Sequence, residues 1–344
     1  MSVPLRSGLP TSFKREGIRY DLPVDDECKA TSIKLWSFKR PHMRAFHCAW
    51  LSFFISFIGW FTLSPLMPLI RVSLGLCTNG GWDVLDSADD CICDAECHRS
   101  IDASNTIGLA GTVVSRLIVG SLLEWLGPRS TAAWILGLCA VPLALSGVAT
   151  SIQGLSTARF FISMIGASFV PTMYWTNSMF SSNVVGTATA TTAGWGNLGA
   201  GFAQVLVPWM VTWFTVSRDT AWRIVPAIIA GCMLVVGPLM YAKSDDLPAG
   251  SFRELYAAAG ANDGRARVLR MTAAAFKDPR VYVLSMLYAG CFGTELVMNN
   301  LLATYFFDFF HLSLQDAGLA AGLFGLMNIF ARSLGGIVSD ASHR

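Results

Sequence analysis

Apolar stretches of about 20 residues or more, long enough to cross ~30 Å of hydrocarbon as helices, recur at 46–70, 103–126, 131–150, 157–180, 186–213, 221–242, 279–307 and 314–339. They predict eight membrane-spanning helices, the fifth diluted by Thr and Gly. Around them lie a polar N-terminal tail (1–44), a polar Cys-rich loop (71–102) and a polar linker (243–278). The tail lacks the short apolar core of a cleavable signal, so the first span is expected to act as an uncleaved anchor. Six spans (45–242), a linker and two further spans (279–344) read as an all-α membrane bundle of six plus six helices, cut short in its second half. Because His343 and Arg344 follow directly on an acidic helix end, the chain reads as a fragment or a truncated gene product.

Basic residues orient this bundle. Arg6, Lys14, Arg15, Arg19, Lys29, Lys34, Lys39, Arg40 and Arg44 precede the first span, and Lys243, Arg253, Arg265, Arg267, Arg270, Lys277 and Arg280 follow the sixth. Both segments are expected on the cytoplasmic side. The 71–102 loop carries Asp83, Asp86, Asp89, Asp90, Asp94, Glu96 and Asp102 against Arg71 and Arg99, which fits the opposite face. Composition agrees with a bilayer protein: 53% of residues are hydrophobic and 14% charged, against about 25% charged in soluble domains. A water-soluble enzyme is disfavoured, and no nucleic-acid-binding pattern is present. Of nine cysteines, Cys48, Cys139, Cys232 and Cys291 lie in apolar runs as packing residues. Cys28, in a cytoplasmic tail, is expected to stay reduced, whereas Cys77, Cys91, Cys93 and Cys97 cluster in the acidic loop.

An internal repeat adds chemistry. The second span reads Arg116-x3-Gly120-x3-Glu124 and the eighth Arg332-x3-Gly336-x3-Asp340, the same three positions in corresponding helices of two halves. Each Arg lies deep in an apolar helix, where an unpaired guanidinium costs at least a few kcal/mol. Alone, each reads equally well as a structural residue, pairing with a buried acid or snorkelling to an interface, or as a functional one. Their recurrence favours two guanidinium groups converging on a central cavity to hold a small anion. The planar fork of Arg matches two oxygens of a planar oxyanion, which Lys cannot do.

In the fifth span, Ala193-Gly194-Trp195-Gly196-Asn197-Leu198-Gly199-Ala200-Gly201 contains G-x-G-x-x-G. A dinucleotide site needs a strand before those glycines, and none is expected inside a membrane span. The glycines read instead as a small-residue surface for close helix packing. Asn197 is then left as a polar group able to donate its amide hydrogens to a ligand.

Phe53-Phe54 and Ser64-Pro65-Leu66, the Arg116 helix, Arg159-Phe160-Phe161, residues 193–201 and Ala331-Arg332-Ser333-Leu334-Gly335-Gly336 together resemble the nitrate/nitrite porter family of the major facilitator superfamily. Cys291-Phe292-Gly293-Thr294-Glu295-Leu296-Val297-Met298-Asn299-Asn300 is more similar to its eukaryotic high-affinity nitrate transporters. The similarity runs from about Phe46 to Asp340.

The resemblance implies a truncated major-facilitator bundle that carries nitrate, and nitrite, into the cytoplasm by alternating access, driven by protons, in the plasma membrane and without cofactor or metal. It implies that Arg116 and Arg332 hold the anion from opposite halves and that Asn197 contacts it. Tyr288 and Phe292, by the seventh span's Tyr-x3-Phe pattern, and Phe169 would line the pocket, with plain helix packing the competing reading for the two Phe residues. Gly194, Trp195, Gly196, Asn197 and Gly199 form the signature stretch. Gly120 to Arg129 is a variant of the superfamily's loop motif with Glu124 where Asp is usual. By resemblance Gly120, Glu124 and Arg129, with Gly336 and Asp340 in the second copy, form gates in which the acid caps a neighbouring helix and the basic residue joins a charge relay. An accessory subunit enters as a partner of some eukaryotic members.

Two features stay open on the residues alone. Glu295, an acid inside a span, reads either as a proton-coupling group or as one side of a structural salt bridge. The four loop cysteines suit disulfides on an oxidising face or a soft metal; adjacent pairing of Cys91 with Cys93 would be strained, so each is expected to bridge elsewhere. Two alternatives to nitrate transport remain: a carrier of the same fold for another small anion, and a non-transporting membrane anion sensor signalling through its linker. An enzyme is disfavoured because no nucleophile and base converge inside the spans.

Overall fold

A computed structural model describes residues 20–78, 91–214, 216–248, 250–252 and 273–342. The basic residues expected at 1–19 and 253–270, the acids from Asp83 to Asp90, and His343 and Arg344 lie outside the described residues.

All eight expected stretches are helical. Helices α1 (His42–Phe61) and α2 (Met67–Ser73) occupy the first, followed by α3 (Ala95–Leu126) and α4 (Pro128–Ser146). The fourth is divided into α5 (Ile152–Ser163), a 3-10 turn (Met164–Ser168) and α6 (Phe169–Met179). Next come α7 (Val185–Thr212), α8 (Arg218–Lys243) and α9 (Pro279–Phe310), and the eighth is split into α10 (Leu314–Leu326) and α11 (Asn328–Ser342). Among the described residues, five of these segments are long and apolar enough on their own to cross a membrane: α3, α4, α8, α9 and the α10–α11 pair. The other three fall short for physical reasons. His42, Arg44 and His47 lower the hydropathy of α1, the 3-10 turn divides the fourth, and Thr and Gly lower the hydropathy of α7.

Capping moves several boundaries from those expected. Asp94 accepts from the Glu96 and Cys97 amides, so α3 begins at Ala95, inside the expected loop. Ser151, Ser217, Asp278 and Ser313 cap α5, α8, α9 and α10 in the same way. Between α3 and α4 the chain turns at Gly127, whose φ of 77° suits a residue without Cβ, and Pro128 then occupies the first turn of α4. The expected tail also departs from a simple extension. Residues from Tyr20 onward pack on the bundle: Ala30 bridges to Phe180, His42 bonds the Cys28 carbonyl at 2.8 Å, and Arg40 pairs with Asp245 at 3.1 Å.

Helix α7 is the hub. It packs on α1 on one side and on α10 and α11 on the other, while α4 pairs with α8 and α3 with α5. Missing side chains make this possible. A Cβ at Gly201 would lie 2.8 Å from the Gly322 carbonyl, and Gly196 and Gly199 press directly on Phe53 and on the Phe54 carbonyl. The surface carries Val113, Leu117, Trp134, Leu138, Leu234, Leu239, Val283 and Met286, all exposed. Large apolar groups turned outward are what a hydrocarbon environment accepts.

Candidate functional site

The two recurrent arginines reach adjacent turns of α9, on which Tyr288, Phe292, Glu295 and Asn299 follow one another at helical spacing. Arg116 of α3 donates from Nε to the Gly166 carbonyl at 3.3 Å, in the 3-10 turn. Its guanidinium lies 4.7 Å from the centre of the Phe292 ring and 5.9 Å from that of Phe169. Tyr288 stacks on Phe292, centroids 5.2 Å apart at 15°, and sits 5.9 Å from Phe169. The Arg116 Nη2 is buried without a hydrogen-bond partner. Arg116 therefore presents an unused donor between aromatic faces.

Arg332 is held differently. Its Nη2 donates to Glu295 Oε2 and its Nε to Asn328 Oδ1 at 3.0 Å. Glu295 Oε1 accepts from Asn197 Nδ2 and from Asn328 Nδ2, each at 3.2 Å. The acid is thus engaged by three side chains from α7 and α11. Asn197, expected to offer its amide hydrogens to a ligand, gives one to this carboxylate because an ionised acid is the strongest acceptor within reach. Its Oδ1 is buried and unpartnered, as are Gln204 Oε1 and both polar atoms of Asn299. With Arg116 and Arg332 positive and Glu295 negative, the group carries one net positive charge.

Local sequence explains the placement. Gly194 faces the Asn328 carbonyl, with the Arg332 Cβ 3.2 Å from where its own Cβ would stand, so the missing side chain lets α11 deliver Arg332 to α9. Trp195 stands between Trp50 (5.4 Å, perpendicular) and Phe46. The signature glycines therefore position the site through close packing, and Asn197, 1% exposed, lies at the middle of that seam.

The second copy of the loop motif meets α7. Asp340 of α11 accepts from the Gly186 amide (3.0 Å), the Thr187 amide (2.7 Å) and the Thr187 hydroxyl (2.6 Å) at the start of α7, a carboxylate on a helix N-terminus. Gly336 packs a turn away against Ala190 and the Gly186 carbonyl. In the first copy Gly120 has no neighbour within 4 Å among the described residues. Glu124 is half-buried at the end of α3. Arg129 reaches the end of α8: it donates to the Ser244 carbonyl (3.0 Å), lies over Tyr241 and stands 3.5 Å from Asp246. Burial raises the Asp246 carboxyl above its usual range, and the Arg129 charge opposes that.

At the opposite end, Cys77 is bonded to Cys91 and Cys93 to Cys97. An ion pair not evident from the sequence lies in the same region. Arg71 of α2, 1% exposed, grips Asp308 of α9 through Nη1 (2.9 Å) and Nη2 (2.6 Å), joining the first and seventh segments. One charge at each span end was legible, but nothing in either span indicated the partner. Asn328, also missed, stands four residues before Arg332, a spacing that predicts contact on a helix.

Residues 49–344 match the model of the family described as the Major Facilitator Superfamily. The chain is 36% identical over 333 residues to the high affinity nitrate transporter 2.5 of Arabidopsis thaliana, covering 95% of this chain and 61% of that protein. It is 35% identical to the high-affinity nitrate transporter 2.3 of Oryza sativa subsp. japonica, covering 96% and 62%. The nitrate/nitrite transporter NrtP of Nostoc punctiforme is 23% identical, over 89% of this chain and 71% of its own length. The chain spans about three fifths of the length of the first two relatives.

Proposed function

The chain belongs to the major facilitator superfamily, and from that premise we propose that it serves as a carrier of nitrate, and of nitrite, across the plasma membrane by alternating access. The observation that carries the reading is Arg116: a guanidinium with a buried, unused Nη2 over the face of Phe292, in register with a second arginine one turn along α9. The relatives' names point to the same anion. A planar, weakly hydrated oxyanion suits this setting. Arg forks bind its oxygens bidentately, and flanking aromatic rings take its faces while excluding water.

Orientation follows from two supports. Basic residues before the first span and after the sixth favour the cytoplasm for that end, and disulfides belong on an oxidising face. The Asp340 cap then closes the cytoplasmic end and the Arg71–Asp308 pair the outer end, with the site between. Alternating access requires each contact to open in turn.

Import against a negative interior costs about 2.3 kcal/mol per charge per 100 mV, so a driving ion is needed. Glu295 supplies the means of coupling. While ionised it occupies the Arg332 fork that an anion would use; protonation releases the fork and raises the net charge of the site. Proton and anion binding therefore favour each other, as symport requires.

The test is labelled-nitrate uptake into cells expressing the parent, Arg116→Lys and Arg332→Lys, with surface protein quantified. Both variants should reach the membrane and lose saturable uptake. Unchanged uptake in both sinks the site, and stronger competition by chlorate or carboxylates than by nitrite would reassign the substrate.

A further inference from the structure

Among the described residues, Arg71, Arg159 and Glu295 are the charged helical side chains less than a tenth exposed, and two of them have a charged partner. Arg71 has Asp308 and Glu295 has Arg332. Arg159 of α5 is 7% exposed, and its one side-chain hydrogen bond runs from Nη1 to Ser104 Oγ at 3.5 Å, the outer limit of such a contact. No acid among the described residues pairs with it. A buried guanidinium without a counter-ion is costly, and such groups inside a membrane protein mark ligand paths.

Arg159 faces open space. A cavity of about 50 Å³ is bounded by Arg71, His98, Asp102, Asn105, Arg159 and Asn300, and a narrower one of about 20 Å³ by Trp60, Asn105, Arg159, Ser163 and Asn300 among others. At ~10–15 Å³ per water-sized body, the wider one has room for a four-atom anion. Asp102 and His98 stand exposed at its rim, and Asp308, beyond the rim, is neutralised by Arg71. The narrower part is lined by no acid. Asn105 makes no side-chain hydrogen bond among the described residues, and its Oδ1 is buried. Its amide is free to turn its hydrogens toward an anion.

The face of α3 that lines the cavity continues along the helix to Arg116. Asn105, Gly108, Thr112 and Arg116 form one stripe on α3 at helical spacing, with Asn105 and Arg116 roughly 16 Å apart along the axis. Trp60 stands across the stripe. Its Nε1 donates to Ser163 Oγ at 3.2 Å, and its ring fills the place where a Gly166 side chain would stand, one residue's reach from the carbonyl that holds Arg116.

We propose that the Arg159 cavity is a second, outer oxyanion site, where the anion is captured before passing Trp60 to Arg116. The assignment rests on the nitrate reading above and adds to it a staging step. Successive weak sites allow entry without trapping. Losing the outer one lowers capture at low concentration and leaves the inner step intact.

The test is the concentration dependence of labelled-nitrate uptake, per molecule at the surface, by the parent, Arg159→Gln, Arg159→Lys and Asn105→Ala. Arg159→Gln should raise KM about tenfold, the loss expected for one charge-assisted contact, with the maximal rate kept within about twofold. Arg159→Lys, keeping the charge without the fork, should fall between. A merely structural role lowers surface amount and maximal rate with KM unmoved, and that result overturns the site. Should Arg159→Gln fail to reach the surface, Asn105→Ala carries the test with a KM raised severalfold. A second measurement needs no transport: in Arg116→Lys, nitrate should slow modification of Thr304→Cys, on the cavity wall, by a charged methanethiosulfonate, read by mass spectrometry, and Arg159→Gln should remove the protection. Absence of protection refutes the outer site whatever the uptake. A parent without saturable nitrate uptake but with this protection refutes the carrier reading and leaves the outer site standing.

Discussion

Replacing Glu295 by Gln separates the coupling role of this acid from its packing. Gln keeps the shape, and its carbonyl can still accept from Asn197 and Asn328. Its amide nitrogen cannot accept from Arg332, so the charge-assisted bond to Nη2 is lost. Removing one partner of a buried pair costs about 3–5 kcal/mol. The Arg332 side chain is 23% exposed and that of Glu295 10%, so we take about 2 kcal/mol after solvent screening. An anion entering the parent at neutral pH must displace Glu295 and meet the same cost; in the variant the fork is already free. At 1.4 kcal/mol per decade, Glu295→Gln should bind nitrate roughly thirtyfold more tightly than the parent at neutral pH. Labelled-nitrate binding to purified parent and variant reads this difference. In vesicles the variant should exchange nitrate across the membrane yet fail to accumulate it under a proton gradient. Binding by the variant equal to or weaker than the parent's would refute the competition between carboxylate and anion.

Three further outcomes follow from the packing and the gates. Asp340→Ala removes a three-bond cap from α7 and should cost about 1–2 kcal/mol, seen as faster labelling of a cysteine placed at the same end of α7; unchanged labelling argues against a gate there. Gly199→Val drives a side chain into the Phe54 carbonyl and should destabilise the α1–α7 contact by at least ~1–3 kcal/mol, with a lower Tm; an unshifted Tm contradicts the close approach. Cys77, Cys91, Cys93 and Cys97 should resist alkylation until reduced, and breaking the Cys77–Cys91 bridge, which spans 14 residues, should cost about 3 kcal/mol; free thiols at these positions before reduction would contradict the pairing.

Much of the fold was legible because lipid imposes one rule, that each crossing be a long apolar helix. The breaks were less so. Pro65 was visible, but the 3-10 turn that offers the Gly166 carbonyl to Arg116 follows from packing against Trp60 and Thr112, which no local pattern encodes. The arginines were legible through their recurrence, and Glu295 as a lone acid in an apolar run. Its partner was not, since Arg332 reaches it through α11, whose approach depends on the bare surface of Gly194. Arg71 and Asp308 lie far apart in the chain and meet only when the first and seventh segments pack.

The central claim is that a planar anion bridges Arg116 and Arg332 above the aromatic face of α9. Equilibrium binding of labelled nitrate to purified parent, Arg116→Lys and Arg332→Lys, each matched for helical content and Tm, tests it most directly. Saturable binding is expected of the parent and at least a tenfold loss of each variant, because Lys keeps the charge but not the fork. Parent-like affinity in both Lys variants would contradict it.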